Sequence, residues 1–161
     1  MSPASTTVSS NARDAGAGAI EYVTFRLADQ WLGIPVLLVQ EVLLAQRIAR
    51  VPRTPDEVAG FLNLRGQIVT AVELRTRLGL PPRAAEHAPM NVVVRHEGEL
   101  FSLLVDEVGD VLSVEGSAVE PPPPTLEPTW RQACAGIVRR ERGLLVVVHV
   151  HALLRLELAA A

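Results

Sequence analysis

Residues 61–80 read FLNLRGQIVTAVELRTRLGL. A polar turn, Asn63-Leu64-Arg65-Gly66, stands between two apolar runs. Asn tolerates left-handed backbone and Gly has no Cβ to obstruct it, so the tetrapeptide reads as a tight turn between strands. Residues 73–80, ELRTRLGL, read as a short helix ended by Gly79, with Pro81 just beyond. The stretch carries no catalytic signature. Gly60 to Gly66 is not a phosphate loop, because the spacing is wrong and no Lys-Ser/Thr follows.

Working outward, the segment has a counterpart. Residues 59–78, AGFLNLRGQIVTAVELRTRL, align with 135–154, AGIVRRERGLLVVVHVHALL, at an offset of 76. Upstream, residues 32–52 align with 101–121 at an offset of 69, which places Ile34 on Leu103, Val36 on Val105, Val39 on Val108, Glu41 on Asp110 and Pro52 on Pro121. The seven extra positions fall in the Pro-rich stretch between Pro121 and Cys134, where a loop insertion is expected. Each half opens on a strand-like run, EYVTFRL and NVVVRHE. Segments kept in one order point to an internal duplication. The expected division is a tail over 1–19, a first barrel over 20–82, a linker over 83–89 within the stretch PPRAAEHAP (81–89), and a second barrel over 90–158.

Within each half the elements are short. YVTFRL and QWLGIPV read as strands around a turn at Ala28-Asp29-Gln30, RIARVP as a strand stopped by Pro52, and LLVVVHV as a strand by its β-branched content. VLLVQEVLL reads as a strand passing into one helical turn. Many short strands and few helices argue all-β. About sixty residues per half suits a small closed barrel, which disposes of exposed sheet edges.

Composition narrows the function. Hydrophobic residues are 48% of the 161, enough for a sizeable core, but aromatics are only 4%. The net charge of −3 gives no reason to seek nucleic acid or an anionic membrane. A nucleic-acid-binding barrel should show a basic stripe with stacking aromatics, and none is visible. All fifteen basic residues are Arg. The lone Cys134 excludes an internal disulfide framework and fits a reduced cytosol. The N-terminus has no apolar h-region, and no apolar run is long enough to span a bilayer.

EYVTFRLADQWLGIPVLLVQEVL, RVPRTPDEVAGFLNLRGQIVTAVELRTRLGL and FSLLVDEVGDVLSV together resemble the CheW family of bacterial chemotaxis coupling proteins, over residues 20–156. The most specific part runs from Val51 to Leu80. The resemblance implies an all-β fold of two five-stranded SH3-like barrels packed side by side, with short helices. It implies a cytoplasmic adaptor, not an enzyme, with no cofactor and no membrane insertion. The partners implied are the cytoplasmic tip of a chemoreceptor, lying in an apolar groove between the barrels, and the CheW-like regulatory domain of the histidine kinase CheA, meeting a barrel edge in membrane-associated signalling arrays. It also implies that Glu41 and Arg65 face each other near the groove. The chain departs from the family where Thr70 replaces the usual proline, where Glu73 replaces the usual aspartate, and at His149-Val150-His151.

The residues expected to bind partners are Val36, Val39, Glu41, Gly60, Asn63, Leu64, Arg65, Gly66, Val105 and Val108. A guanidinium in a tight turn can grip a carboxylate bidentately and fix the turn's orientation; the alternatives for Arg65 are a solvated side chain or direct contact with a partner. Gly60 and Gly66 would leave backbone open to close approach, beside their plain role in the turn. Each of the four valines either lines the groove or fills its own barrel. His149 and His151, two apart on a predicted strand, would share a face, but with no third ligand in sight they make no metal site. PPPPT reads as a stiff polyproline connection. A small hydrolase remains the competing class; it needs convergent polar groups, and only scattered carboxylates appear.

Overall fold

The computed structural model describes residues 18–141 and 143–155. The expected tail lies outside them except at its end, where Ala19 already belongs to a strand. The fold is all-β, as the sequence implies. One sheet contains β1 (Ala19–Leu27), β2 (Gln30–Pro35), β8 (Glu107–Glu115), β9 (Val119–Glu120), β10 (Cys134–Arg140) and β11 (Gly143–Val148), in the order β8-β1-β2-β11-β10-β9. The other contains β3 (Val39–Leu43), β4 (Val58–Leu64), β5 (Gln67–Glu73), β6 (Met90–His96) and β7 (Glu99–Val105), in the order β3-β6-β7-β5-β4. Three helices of one or two turns complete the fold: α1 (Leu74–Arg77), α2 (Pro128–Ala133) and α3 (Val150–Leu153).

Both sheets curl shut in the SH3-like manner. β8 runs through a 3-10 turn at Gly116–Ala118 into β9, which pairs with β10, so one continuous segment joins both ends of the strand order. In the other barrel the chain beyond β3 returns at Ala49, which exchanges backbone hydrogen bonds of 2.7 and 2.9 Å with Phe61 of β4. The strand expected from RIARVP is reduced to this bridge. VLLVQEVLL also reverses the expected order: a 3-10 turn at Val36–Leu38 comes first and β3 follows.

The repeat is visible strand by strand. β4 and α1 map onto β10 and α3 at the offset of 76, and β1, β2 and β3 overlie β6, β7 and β8 at 69. Under this mapping the two strand orders become the same, down to the parallel pairs β5·β7 and β11·β2. Each barrel, however, takes its central hairpin from the other half. The β1–β2 hairpin sits among β8, β10 and β11, and the β6–β7 hairpin sits among β3, β4 and β5. The expected boundary at 83–89 therefore separates the two copies of the repeat and not the two barrels. Sequence adjacency suggested otherwise, since consecutive strands usually pair.

The core explains the exchange. Its largest cluster draws on both barrels, with Phe25, Ile34, Val146 and Val148 from one and Val72, Val94, Leu103 and Val105 from the other. Smaller clusters fill each barrel's interior, around Leu62, Val69 and Leu104 and around Tyr22, Leu145 and Val147. Strands between two such layers are apolar on both faces, so Val92–Val94 and Leu145–Val148 are buried without alternation. In the β6 barrel, Ser102 donates to Asn91, 2.7 Å away, and Asn91 donates to the Leu44 carbonyl. These fully buried polar groups are therefore satisfied.

Gly60 and Gly136 occupy matching positions in the repeat, each at a register shift. A Cβ on Gly60 would stand 2.3 Å from the Ala49 carbonyl oxygen, and one on Gly136 would stand 2.6 Å from a Val119 methyl. Both glycines let the returning segment close its barrel. Gly60→Ala should destabilise the protein by roughly 2–4 kcal/mol in urea denaturation, combining overpacking with a φ of +147°. Gly98→Asn, at a φ of +81° in open space, should cost less than about 1 kcal/mol. Equal losses would mean that close approach at Gly60 contributes nothing.

Candidate functional site

The chain crosses between the barrels twice at positions related by the repeat: from β2 to β3 through Val36–Leu38, and from β7 to β8 through Asp106. The chemistry of the two crossings is opposite. At the first, Leu37 is 96% exposed and Leu38 is also open to solvent. At the second, the Asp106 side chain is only 9% exposed and held from several directions. Arg75 reaches it through Nε and Nη2 at 3.0 and 2.6 Å, Arg83 through Nε and Nη2 at 3.1 and 3.0 Å, and the Ala28 N–H donates at 2.7 Å. Glu73 extends the cluster, accepting from Arg83 Nη1 at 2.5 Å and from the Arg75 N–H that opens α1.

Burial pushes the Asp106 carboxyl up, but hydrogen bonds from Arg75, Ala28 and Arg83 outweigh it and hold the group well below the usual carboxylate range. Arg75 is pushed up in turn by its hydrogen bond to Asp106. An open cleft of about 540 Å³ lies here, lined by Arg26, Arg75, Arg83 and Asp106 among others. Each of these arginines is paired with Asp106, and Arg26 and Arg83 are also paired with Glu107 and Glu73, so the floor of the cleft is an ion-pair network at the joint between barrels; Asp29, Glu86 and His87 line its rim.

The turn that opened the sequence reading is a two-residue hairpin loop. Arg65 and Gly66 both have positive φ, 52° and 87°, the backbone of a type I′ turn. Arg65, rather than Asn63, takes the left-handed conformation; Asn63 Oδ1 accepts from the Gly66 N–H at 2.9 Å. The Arg65 guanidinium pairs with the Glu41 carboxylate of β3, as the resemblance implies. The Arg65 side chain is 69% exposed, so this contact is a surface feature that orients the turn and adds little stability.

The other expected residues divide. Val36, Val39 and Val108 are partly exposed, and Val39 and Val108 pack against the shared core from related positions. Val105 is fully buried in that core and Leu64 fills the β6 barrel, so neither presents its side chain for docking. Gly60 is buried, and the space over it belongs to Ala49. These three corrections have one root: burial depends on what lies opposite, and for Val105, Leu64 and Gly60 the sequence does not show which segment that is.

The sequence reading missed Leu37, Leu44 and Ile68, the last two 73% and 67% exposed. All three are on or adjoin strands of the β6 barrel. It also missed the Asp106 cluster, although Glu73-x-Arg75 beside Arg83 is a charge pattern that could have prompted a search. Two of the departures from the family pattern have local roles. Glu73 caps α1, and His149, its counterpart in the repeat, caps α3 by accepting from the Ala152 N–H. β11 ends at Val148, so His149 and His151 are not on a strand.

A family model described as the CheW-like domain matches residues 21–158. The chain is 26% identical to the chemotaxis protein CheW of Helicobacter pylori, covering 84% of this chain and 82% of that one. It is 28% identical to the chemotaxis protein CheW of Klebsiella aerogenes, covering 85% and 82%. Among solved structures, the scaffolding protein TtCheW from Thermoanaerobacter tengcongensis superposes with a TM-score of 0.76 at 28% identity, over 85% of this chain and 93% of that one.

The depressed carboxyl at Asp106 gives a signed pH prediction. Its stabilising contribution is complete above the unfolded-state value of about 4 and is lost as pH falls through the folded value. Asp106→Asn should lower stability by about 3 kcal/mol near neutral pH, because Arg75 loses its paired carboxylate and Arg83 keeps only Glu73. Urea titrations at stepped pH should show the gap to wild type narrowing as pH falls below about 4. A constant gap would assign the loss to shape, not charge.

Proposed function

The chain belongs to the CheW-like domain family, and on that premise we propose that it is a chemotaxis adaptor coupling the cytoplasmic tips of chemoreceptors to the histidine kinase CheA. What carries this reading is that the match spans the whole two-barrel unit, not one barrel or one motif. The arginines and the carboxylate at the floor of the inter-barrel cleft are engaged with one another, which supports a structural role there over hydrolysis. No helix among the described residues is long and apolar enough to cross a membrane, in keeping with a cytoplasmic protein recruited to receptor arrays.

The proposed docking surface lies on the β6 barrel and its open crossing. Val36, Leu37, Leu38 and Val39 offer apolar area beside the shared core, and Val108 offers the related position on the other barrel. The turn Asn63-Leu64-Arg65-Gly66, oriented by Glu41, adds a charged feature at the rim. Exposed apolar area ringed by polar groups is the usual form of a protein-docking patch. The repeat supplies no second open crossing, because Asp106 occupies the position related to Leu37.

Mixing the purified protein with receptor tips and CheA tests the proposal. It predicts a ternary complex and altered autophosphorylation, and binding to neither partner overturns it. Leu37→Asp should weaken one of the two interactions by about 2 kcal/mol, roughly 30-fold, with no change in melting temperature. Arg65→Glu should impair coupling while shifting stability by less than about 1 kcal/mol, and adding Glu41→Arg should restore part of it. Intact coupling in Arg65→Glu would remove the turn from the docking surface.

A further inference from the structure

Outside the docking surface, three potential ligands from separate parts of the chain converge. His96 ends β6, Glu97 occupies the β6–β7 turn, and His151 sits in α3. His96 Nε2 and His151 Nδ1 are 3.3 Å apart, and one Glu97 carboxylate oxygen lies 3.9 and 3.7 Å from them. All three ligand atoms fall within 4.8 Å of one another. We propose that His96, Glu97 and His151 bind a divalent transition-metal cation of the zinc class across the joint between the barrels.

The geometry suits the cation. Two ligands held about 2.0–2.1 Å from a metal at a tetrahedral angle lie about 3.3 Å apart, the separation of the two imidazole nitrogens. The carboxylate is a few tenths of an ångström further out, on an exposed side chain that can close the gap. Two imidazoles and one carboxylate form a borderline donor set, suited to zinc and its neighbours more than to magnesium or calcium. Without a cation, one imidazole donates to the other across this gap; with one, both facing nitrogens offer lone pairs and each ring carries its proton on its other nitrogen. Three protein ligands leave a fourth position for water or for a group from another molecule.

The ligands are prepared by their surroundings. Arg77 of α1 donates to the Leu153 and Ala152 carbonyls at 2.8 and 2.9 Å, fixing the end of α3. Val150, Leu153 and Leu154 anchor the same turn in the shared core. The Glu97-Gly98 turn has positive φ at both residues, which directs Glu97 from a defined hairpin loop. His149 is engaged in capping α3 and is not counted as a ligand. Because His96 and Glu97 belong to one barrel and His151 to the other, the cation would be a second clasp between barrels, separate from Asp106.

Isothermal titration of the tag-free full-length protein with zinc chloride tests the assignment, alongside melting curves with and without zinc. The wild type should bind one Zn²⁺ and melt higher in its presence. Loss of an outer-sphere partner alone usually weakens metal binding 10–100-fold, so His96→Gln and His151→Gln should each weaken it at least about tenfold and abolish the melting shift. His87→Gln, on an exposed connection, should match the wild type, and circular dichroism confirms that each variant is folded. No saturable binding by wild type below about 0.1 mM, or variants that stay within about tenfold of it, would overturn the proposal.

Discussion

Asp106 sits where the chain leaves one barrel for the other, and the two arginines and one backbone N–H that hold it come from both sides of that step. A carboxylate in such a place is costly to bury and strongly destabilising to leave unpaired, so its value lies less in net stability than in fixing one arrangement of its neighbours. Arg75 opens α1, Arg83 lies in the connection between the repeat copies, and Ala28 makes the tip of the β1–β2 hairpin. Their positions are set by a single group. The relative placement of the barrels follows from it and from the core cluster that both barrels share.

That shared cluster gives the duplication a mechanical consequence. Two barrels strung in sequence could separate by opening one linker. Here two crossings tie the barrels, and because each barrel holds the other half's hairpin, separating the two halves of the chain means extracting β1–β2 and β6–β7 from their sheets. The interface is core rather than surface, with Phe25, Leu103 and Val146 packed as any domain interior. A molecule built this way presents its rims at a fixed angle. Rigid presentation reduces the ordering required when a partner docks.

Much of this was legible in the sequence, and the limits have physical causes. β-branched runs such as NVVV and LLVVV marked strands, and the repeat located equivalent elements to the residue, as Leu74–Arg77 and Val150–Leu153 show. Arg65 and Gly66 were recognisable as a turn, and the Arg65–Glu41 pair followed from the family resemblance. The hairpin exchange was not legible. Swapped and unswapped barrels place the same residues in the same environments, so the periodicity is identical. Val105 and Gly60 were misplaced for a related reason: burial depends on what lies opposite, and for Gly60 that is Ala49 across a sequence gap. His151 failed the same way, since its companion His96 is 55 positions away.

The two copies of the repeat differ in chemistry where the chain crosses between the barrels. At one crossing the related positions hold Val36, Leu37 and Leu38; at the other they hold Val105, Asp106 and Glu107. Two open apolar crossings would leave a symmetric molecule with two equivalent patches, able to pair with copies of itself as readily as with a partner. Two locked crossings would leave none. Ionising one and exposing the other gives the twin-barrel frame a front and a back. The charge that closes one crossing also stiffens the frame that carries the other, so rigidity and asymmetry come from the same ion-pair network.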